Sequence, residues 1–99
     1  MDVDAVGRLG EVRAKIDRAL EAVRADQRAS PVLVAVVGEF AAKGEKAASA
    51  ADERSAVIEL EQAGDSAKVA AEADTGVANT TRQAVLDAHL AICVAKSKL

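Results

Sequence analysis

Apolar residues recur every three or four positions along most of the chain, which is the spacing of one face of an α-helix. Over residues 4–28 this pattern predicts a first amphipathic helix, with Asp4 placed to cap its N-terminus. Arg13 interrupts the apolar stripe, and Val12 lies at its edge. The predicted stripe consists of Val6, Leu9, Ile16, Leu20 and Val23.

The same spacing predicts helix over residues 39–63 and again over residues 67–96. Gly64 and the two residues after it could end one helix and start another, or be tolerated inside one long helix at a cost of about 1 kcal/mol. Asp74-Thr75-Gly76 predicts a kink or a break, and no internal repeat is evident. The predicted inward positions are Phe40, Ala47, Ala51 and Ile58, with Val57 and Leu60 nearby, and then Ala70, Ala73, Val77, Thr81, Ala84, Ala88, Ile92 and Ala95.

Residues 30–44 (SPVLVAVVGEFAAKG) form the most apolar run and allow two interpretations. In the first, Ser30 is an N-cap, Pro31 takes the first helical position and a new helix begins. In the second, residues 32–37 form a buried strand bounded by Pro31 and Gly38. The β-branched content favours a strand locally, and periodicity does not separate the two for so short a run.

The helical interpretation agrees with more of the chain. A strand at residues 32–37 would need a further strand at residues 67–73 (AKVAAEA), a segment whose composition favours helix. We therefore predict one all-α domain over residues 1–99, folded as an antiparallel helical hairpin or a three-helix bundle. A small α/β fold is the alternative.

The composition suggests a protein that works by binding another protein. The apolar residues are mainly small, with 24 Ala and 13 Val against 7 Leu, 3 Ile and one Phe, so each buries little area. We expect marginal stability as a monomer and an apolar seam completed by a second copy or a different protein. The predicted interface residues are Leu9, Ile16, Leu20, Val23, Leu33, Val37, Phe40 and Ile58.

Charge and hydropathy exclude other partners. The net charge is −3 with both signs interspersed, and Trp and Tyr are lacking, which argues against nucleic acid. No apolar run reaches the roughly 20 residues of a membrane-spanning helix, and no basic segment opens a signal peptide. We expect a cytoplasmic protein or one exported without a cleaved signal. Alternatively, Ser97-Lys98-Leu99 would direct a eukaryotic adaptor to peroxisomes.

Candidate chemistry is sparse. His89 and Cys93 are four residues apart and would share a helix face, but a structural zinc site needs four ligands. His89 is the only histidine, and no acidic residue lies at a sequence spacing that would indicate a catalytic pair for nucleophilic catalysis. A packed His and a buried Cys are the simpler interpretation, so we predict neither enzymatic activity nor a cofactor.

Nearly the whole chain resembles the small helical-hairpin proteins of the WXG100 and ESX type, which are exported by type VII secretion. The resemblance rests on the first amphipathic helix, on residues 36–42 (VVGEFAA) in place of the Trp-x-Gly turn, and on residues 63–73 (AGDSAKVAAEA). Val36 stands where the family has Trp, and Ala73 and Val77 stand nearest to its Tyr-x-x-x-Asp/Glu signal. The resemblance implies a helical hairpin associated with type VII secretion.

A second, local resemblance is to the first strand and P-loop of bacterial dynamin-like GTPases, carried by residues 31–40 (PVLVAVVGEF). A P-loop reads Gly, four residues, then Gly-Lys-Ser/Thr. Here Lys43 and Gly44 are transposed after Gly38, and Glu45 replaces the metal-binding hydroxyl. With Asp74 as a shortened Asp-x-x-Gly motif, the resemblance implies a degenerate nucleotide-binding module as an alternative function.

Overall fold

The computed structural model describes the backbone of residues 3–98 and the side chains of residues 9–98. The predicted cap Asp4 and the predicted stripe residue Val6 lie outside the described side chains. The last residue of the tripeptide address, Leu99, lies outside the described chain.

Four helices make up the fold: α1 (Val3–Ala25), α2 (Pro31–Ala48), α3 (Glu53–Ala73) and α4 (Asn79–Ser97). α1 packs against α2 and α4, and α3 packs against the same two helices, so each helix has two neighbours. Short loops make consecutive helices antiparallel, and the result is an up-down-up-down bundle of 43 × 19 × 18 Å. The all-α prediction is confirmed, and the α/β alternative is wrong because residues 3–98 contain no strand. None of the described helices is long and apolar enough to cross a membrane.

The first residues of α2 decide between the two interpretations of residues 30–44. Ser30 Oγ accepts a hydrogen bond from the Leu33 N–H at 3.1 Å, and Pro31 occupies the first helical position. Leu33 and Val37, four residues apart, are both buried in the core while Val32 is exposed. This four-residue spacing of buried positions is that of a helix. Residues 32–37 are therefore helical, and the strand interpretation is wrong.

The chain leaves the helical conformation at residues 49–52, before Gly64. α2 ends at Ala48, and α3 begins after Asp52, whose carboxylate accepts hydrogen bonds from the Ser55 N–H at 3.2 Å and the Ser55 hydroxyl at 2.9 Å. This cap starts a new helix that runs through Gly64 without interruption. The predicted continuous helix over residues 39–63 is therefore wrong, whereas the predicted break at Asp74 is confirmed.

The core uses the small residues more than the sequence pattern suggested. In α1, Val12 and Ala19 are buried while Leu20 is half-buried, and in α3, Val57 and Leu60 are buried while Ile58 is 40% exposed. The apolar core consists of Val12, Ile16, Ala19, Val23, Leu33, Val37, Phe40, Ala47, Val57, Leu60, Ala67, Ala71, Val77, Val85, Ala88, Ile92 and Ala95.

Burial also reveals an internal repeat that the sequence does not show. Buried positions of α1 and α2 recur 48 residues later in α3 and α4, so the chain consists of two structurally equivalent helical hairpins. Of the 51 residue pairs at this spacing, ten are identical and four of those are Ala–Ala, which explains why the repeat is not evident from the sequence. The equivalent buried pairs are Val12/Leu60, Ile16/Gly64, Ala19/Ala67, Val23/Ala71, Leu33/Thr81, Val37/Val85, Phe40/Ala88, Gly44/Ile92 and Ala47/Ala95.

The two hairpins exchange large and small side chains at equivalent places. In the first hairpin Ile16 of α1 faces Gly44 of α2, where an added Cβ would lie 3.4 Å from Ile16 Cδ1. In the second hairpin Gly64 of α3 faces Ile92 of α4, where an added Cβ would lie 3.3 Å from Ile92 Cγ2 and 3.0 Å from Phe40 Cζ. The exchange keeps the summed volume nearly constant, as close packing requires.

We expect Gly64→Ala to destabilise the protein by about 1–2 kcal/mol. Alanine favours helix over glycine by up to about 1 kcal/mol, but overpacking a filled core costs about 1–3 kcal/mol. Phe40 and Ile92 are fully buried and cannot yield the space. Urea denaturation followed by circular dichroism measures the change. The control is Gly38→Ala, also in a helix interior but with nothing within 4 Å of the new Cβ, which we expect to stabilise by about 0.5–1 kcal/mol. Equal stability of the two variants would contradict the packing argument.

Candidate functional site

The residues of the predicted phosphate site do not come together. Gly38, Lys43 and Gly44 all lie inside α2, where backbone N–H groups are used by the helix and cannot cradle phosphates. Asp74 lies beside the start of α2, more than three helical turns, or about 20 Å, from Gly44. Residues 36–42, compared above with the turn of a secreted hairpin, also lie within α2.

Asp74 instead joins the two hairpins. Its Oδ2 accepts a hydrogen bond from the Ser30 N–H at 2.8 Å, and its Oδ1 accepts one from the Gly76 N–H at 3.0 Å. Asp26, the equivalent residue, accepts hydrogen bonds from the Ala78 N–H at 3.0 Å and the Arg28 N–H at 2.9 Å. Each carboxylate thus orders its own loop and also satisfies the N–H at the start of the other hairpin's second helix. We call Asp26 and Asp74 the aspartate clasp.

The clasp has a structural role that accounts for the electrostatics of both carboxylates. The hydrogen bond from the Ala78 N–H, followed by that from Arg28, lowers the pKa of Asp26 below its ordinary value, because these donors favour the charged form. The Ser30 N–H chiefly lowers the pKa of Asp74. Nearby, the Arg82 guanidinium donates to the carbonyl oxygens of Ala71 at 3.2 Å and Asp74 at 2.9 Å, so it caps the C-terminus of α3.

His89 and Cys93 do share a face of α4, and Asp65 of α3 joins them. Asp65 Oδ1 lies 2.7 Å and Cys93 Sγ 3.5 Å from the same atom, His89 Nε2. A nucleophilic relay needs the thiol on one ring nitrogen and the carboxylate on the other. Burial raises the pKa of the Cys93 thiol, and the Glu61 and Asp65 carboxylates raise it further, so the thiol stays protonated. The cluster therefore lacks the geometry and the reactive thiolate of a catalytic site.

The same cluster does not form a metal site. Within residues 9–98, no group of three His, Cys, Asp or Glu side chains is arranged to hold a metal ion. Beside the cluster, Lys96 Nζ and Glu61 Oε1 form an ion pair at 2.7 Å that also joins α4 to α3. These polar contacts fasten the two helices of the second hairpin to each other.

Most of the predicted interface residues complete the chain's own core. Five of the eight are fully buried and two are half-buried against the core, so the second hairpin covers the seam expected to need a partner. The buried ones are Ile16, Val23, Leu33, Val37 and Phe40, the half-buried ones are Leu9 and Leu20, and Ile58 is partly exposed.

An apolar surface that the sequence analysis missed lies between α1 and α4. Leu90 is 61% exposed and Val94 is 45% exposed, although both are large apolar residues one helical turn apart on α4. With Val12 and Ala91 they line a groove of about 290 Å³, which we call the α1–α4 groove. The sequence signal that could have revealed this surface is that Leu90 and Val94 are large apolar residues outside the buried stripe of α4. The full lining is Glu11, Val12, Lys15, Asp87, Leu90, Ala91, Val94, Ala95 and Lys98.

The groove continues along the same two helices towards the clasp. A further recess of about 230 Å³ shares Lys15 and Asp87 with it. Its remaining lining residues are Arg18, Thr80, Gln83 and Ala84. The surface is therefore an elongated depression in which apolar residues of α4 lie beside charged residues of both helices.

The internal repeat provides a comparison within one molecule. The positions on α2 equivalent to Leu90 and Val94 are Ala42 and Lys46, and the position equivalent to Ala91 is Lys43. The same backbone thus carries small or charged side chains on the corresponding face of α2. The fold does not require large apolar residues at these places, so Leu90 and Val94 are a particular property of the α1–α4 groove.

No protein family, curated protein or solved structure matches the chain.

We expect the Asp26→Asn/Asp74→Asn variant to lose part of the stability that the wild type has near neutral pH. Because the folded-state pKa of each carboxylate lies below the ordinary value of 3.8, their contribution is complete above that value and is lost as pH falls through the lower folded pKa. The free energy of unfolding, measured by urea denaturation between pH 2 and 6, should therefore fall less with acidification in the variant than in the wild type. Asp17→Asn, at an exposed position outside the two loops, is the control and should keep the wild-type slope.

Proposed function

We propose that this protein is a non-enzymatic protein–protein interaction module that binds a helix of its partner in the α1–α4 groove. The observation that carries this proposal is the exposure of Leu90 and Val94 on a bundle whose other half has Ala42 and Lys46 at the equivalent places. Adjacent large apolar residues exposed beside a groove are typical of a docking surface.

The apolar residues of the groove suit a helical ligand. A helix that docks in a groove presents apolar anchors spaced by three, four or seven residues. Leu90, Ala91 and Val94 provide apolar contacts for such anchors. Full burial of a Leu or Val side chain contributes about 1.5–3 kcal/mol. The two side chains are already partly covered, so together they supply about 3 kcal/mol, and contact with the half-buried Ala91 adds to this.

The remaining chemistry supports binding rather than catalysis. The Cys93 thiol is held protonated, and the groups around His89 meet at one ring nitrogen. The nucleotide-binding alternative has no support in the geometry, because its glycines are helical and Asp74 belongs to the clasp. An association with type VII secretion is supported by the resemblance in sequence and by the all-helical fold alone.

Photo-crosslinking at position 90 tests the proposal. With p-benzoylphenylalanine in place of Leu90, irradiation of cells of the source organism should give a discrete protein adduct, and adding Val94→Lys should abolish it. The matched control is the same substitution at Val69, which is 65% exposed on α3 and lies away from the groove. The same adducts from both positions, or no adduct from position 90, would contradict the proposal.

A further inference from the structure

We infer that the occupant of the α1–α4 groove is a second copy of this chain, bound through a two-fold axis that sets α4 antiparallel to α4 of the other copy. The inference rests on the proposed function, since it names the partner of that groove. It is carried by the arrangement of apolar and charged residues along α4, which is complementary to itself when reversed.

The apolar residues fix where the axis crosses α4. An axis beside Ile92 and Cys93 brings Leu90 of one copy to the level of Val94 and Ala95 of the other, and the same contact is repeated by symmetry. Each exposed anchor then faces the apolar wall formed by the other copy's anchor. Two large side chains that are exposed in one molecule become mutually covered in the pair.

The charges on α4 agree with the same axis. Asp87 and Lys98 both line the groove and lie almost equally far from position 92, on opposite sides of it. In the antiparallel arrangement Asp87 of each copy therefore meets Lys98 of the other. In a two-fold contact both copies use the same surface, so that a residue which contacts a second residue of the other copy is matched by the reverse contact. The surface must therefore be complementary to itself.

Analytical ultracentrifugation of the pure protein tests the apolar part of the contact. We expect a dimer at micromolar concentration, and we expect Leu90→Lys to raise the dissociation constant at least 100-fold, because it places two buried cations at the centre. Val69→Lys should leave the dissociation constant unchanged, and circular dichroism should show equal helix content for all three proteins. A wild type that stays monomeric to millimolar concentration, or a dimer indifferent to Leu90→Lys, would overturn the inference.

Charge exchange tests the axis itself. Asp87→Lys and Lys98→Asp should each weaken the dimer about tenfold, since each turns two attractive rim contacts per dimer into repulsive ones. The double variant Asp87→Lys/Lys98→Asp should return to within about threefold of the wild type, because the partners have merely changed places. Failure of the double variant to recover would overturn the inference. A monomeric wild type whose position 90 crosslinks to a different protein would overturn the inference and leave the proposed function standing.

Discussion

The bundle depends on one close approach, where Phe40 of α2 lies against Gly64 of α3 beside Ile92 of α4. In a core built largely from Ala and Val, the single aromatic ring supplies volume that no other residue provides, and it fits because α3 has no side chain at that point. The counterpart of this contact is Ile16 against Gly44. Together these contacts bring the helices close enough for the small side chains around them to touch.

The helical class and the start of α2 could be predicted from the sequence, because Ser30-Pro31 combines a cap with a residue suited to the first turn. The number of helices could not, since alanines flank the loop before Asp52 and alanine is compatible with helix, loop, core and surface. For the same reason, the predicted apolar stripe of α1 included Leu20, which is half-buried, whereas the structure buries Val12 and Ala19. In an alanine-rich helix the periodicity predicts that a helix exists more reliably than which way it faces.

The candidate site was harder to predict, because it depends on which surface the neighbouring helix leaves open. The sequence does not distinguish Leu90 and Val94 from other apolar residues, because their exposure depends on which residues of α1 lie beside them. Conversely, Gly38, Lys43 and Gly44 resembled a phosphate loop in letters, but a P-loop requires a strand before it, and Ser30 starts a helix there. The internal repeat was hidden for a related reason: where one hairpin has a large residue, the other often has a small one.

The equivalence of the two hairpins makes their order along the chain unimportant to the fold. α1 begins and α4 ends at the end of the bundle where residues 49–52 join α2 to α3, because neighbouring helices are antiparallel. A circular permutant that begins at Glu53 and carries a short linker from Ser97 to Val3 would keep every helix–helix contact and both halves of the clasp. The core thus specifies how two helical hairpins pack together. The connection between the hairpins can join α2 to α3, as it does here, or α4 to α1.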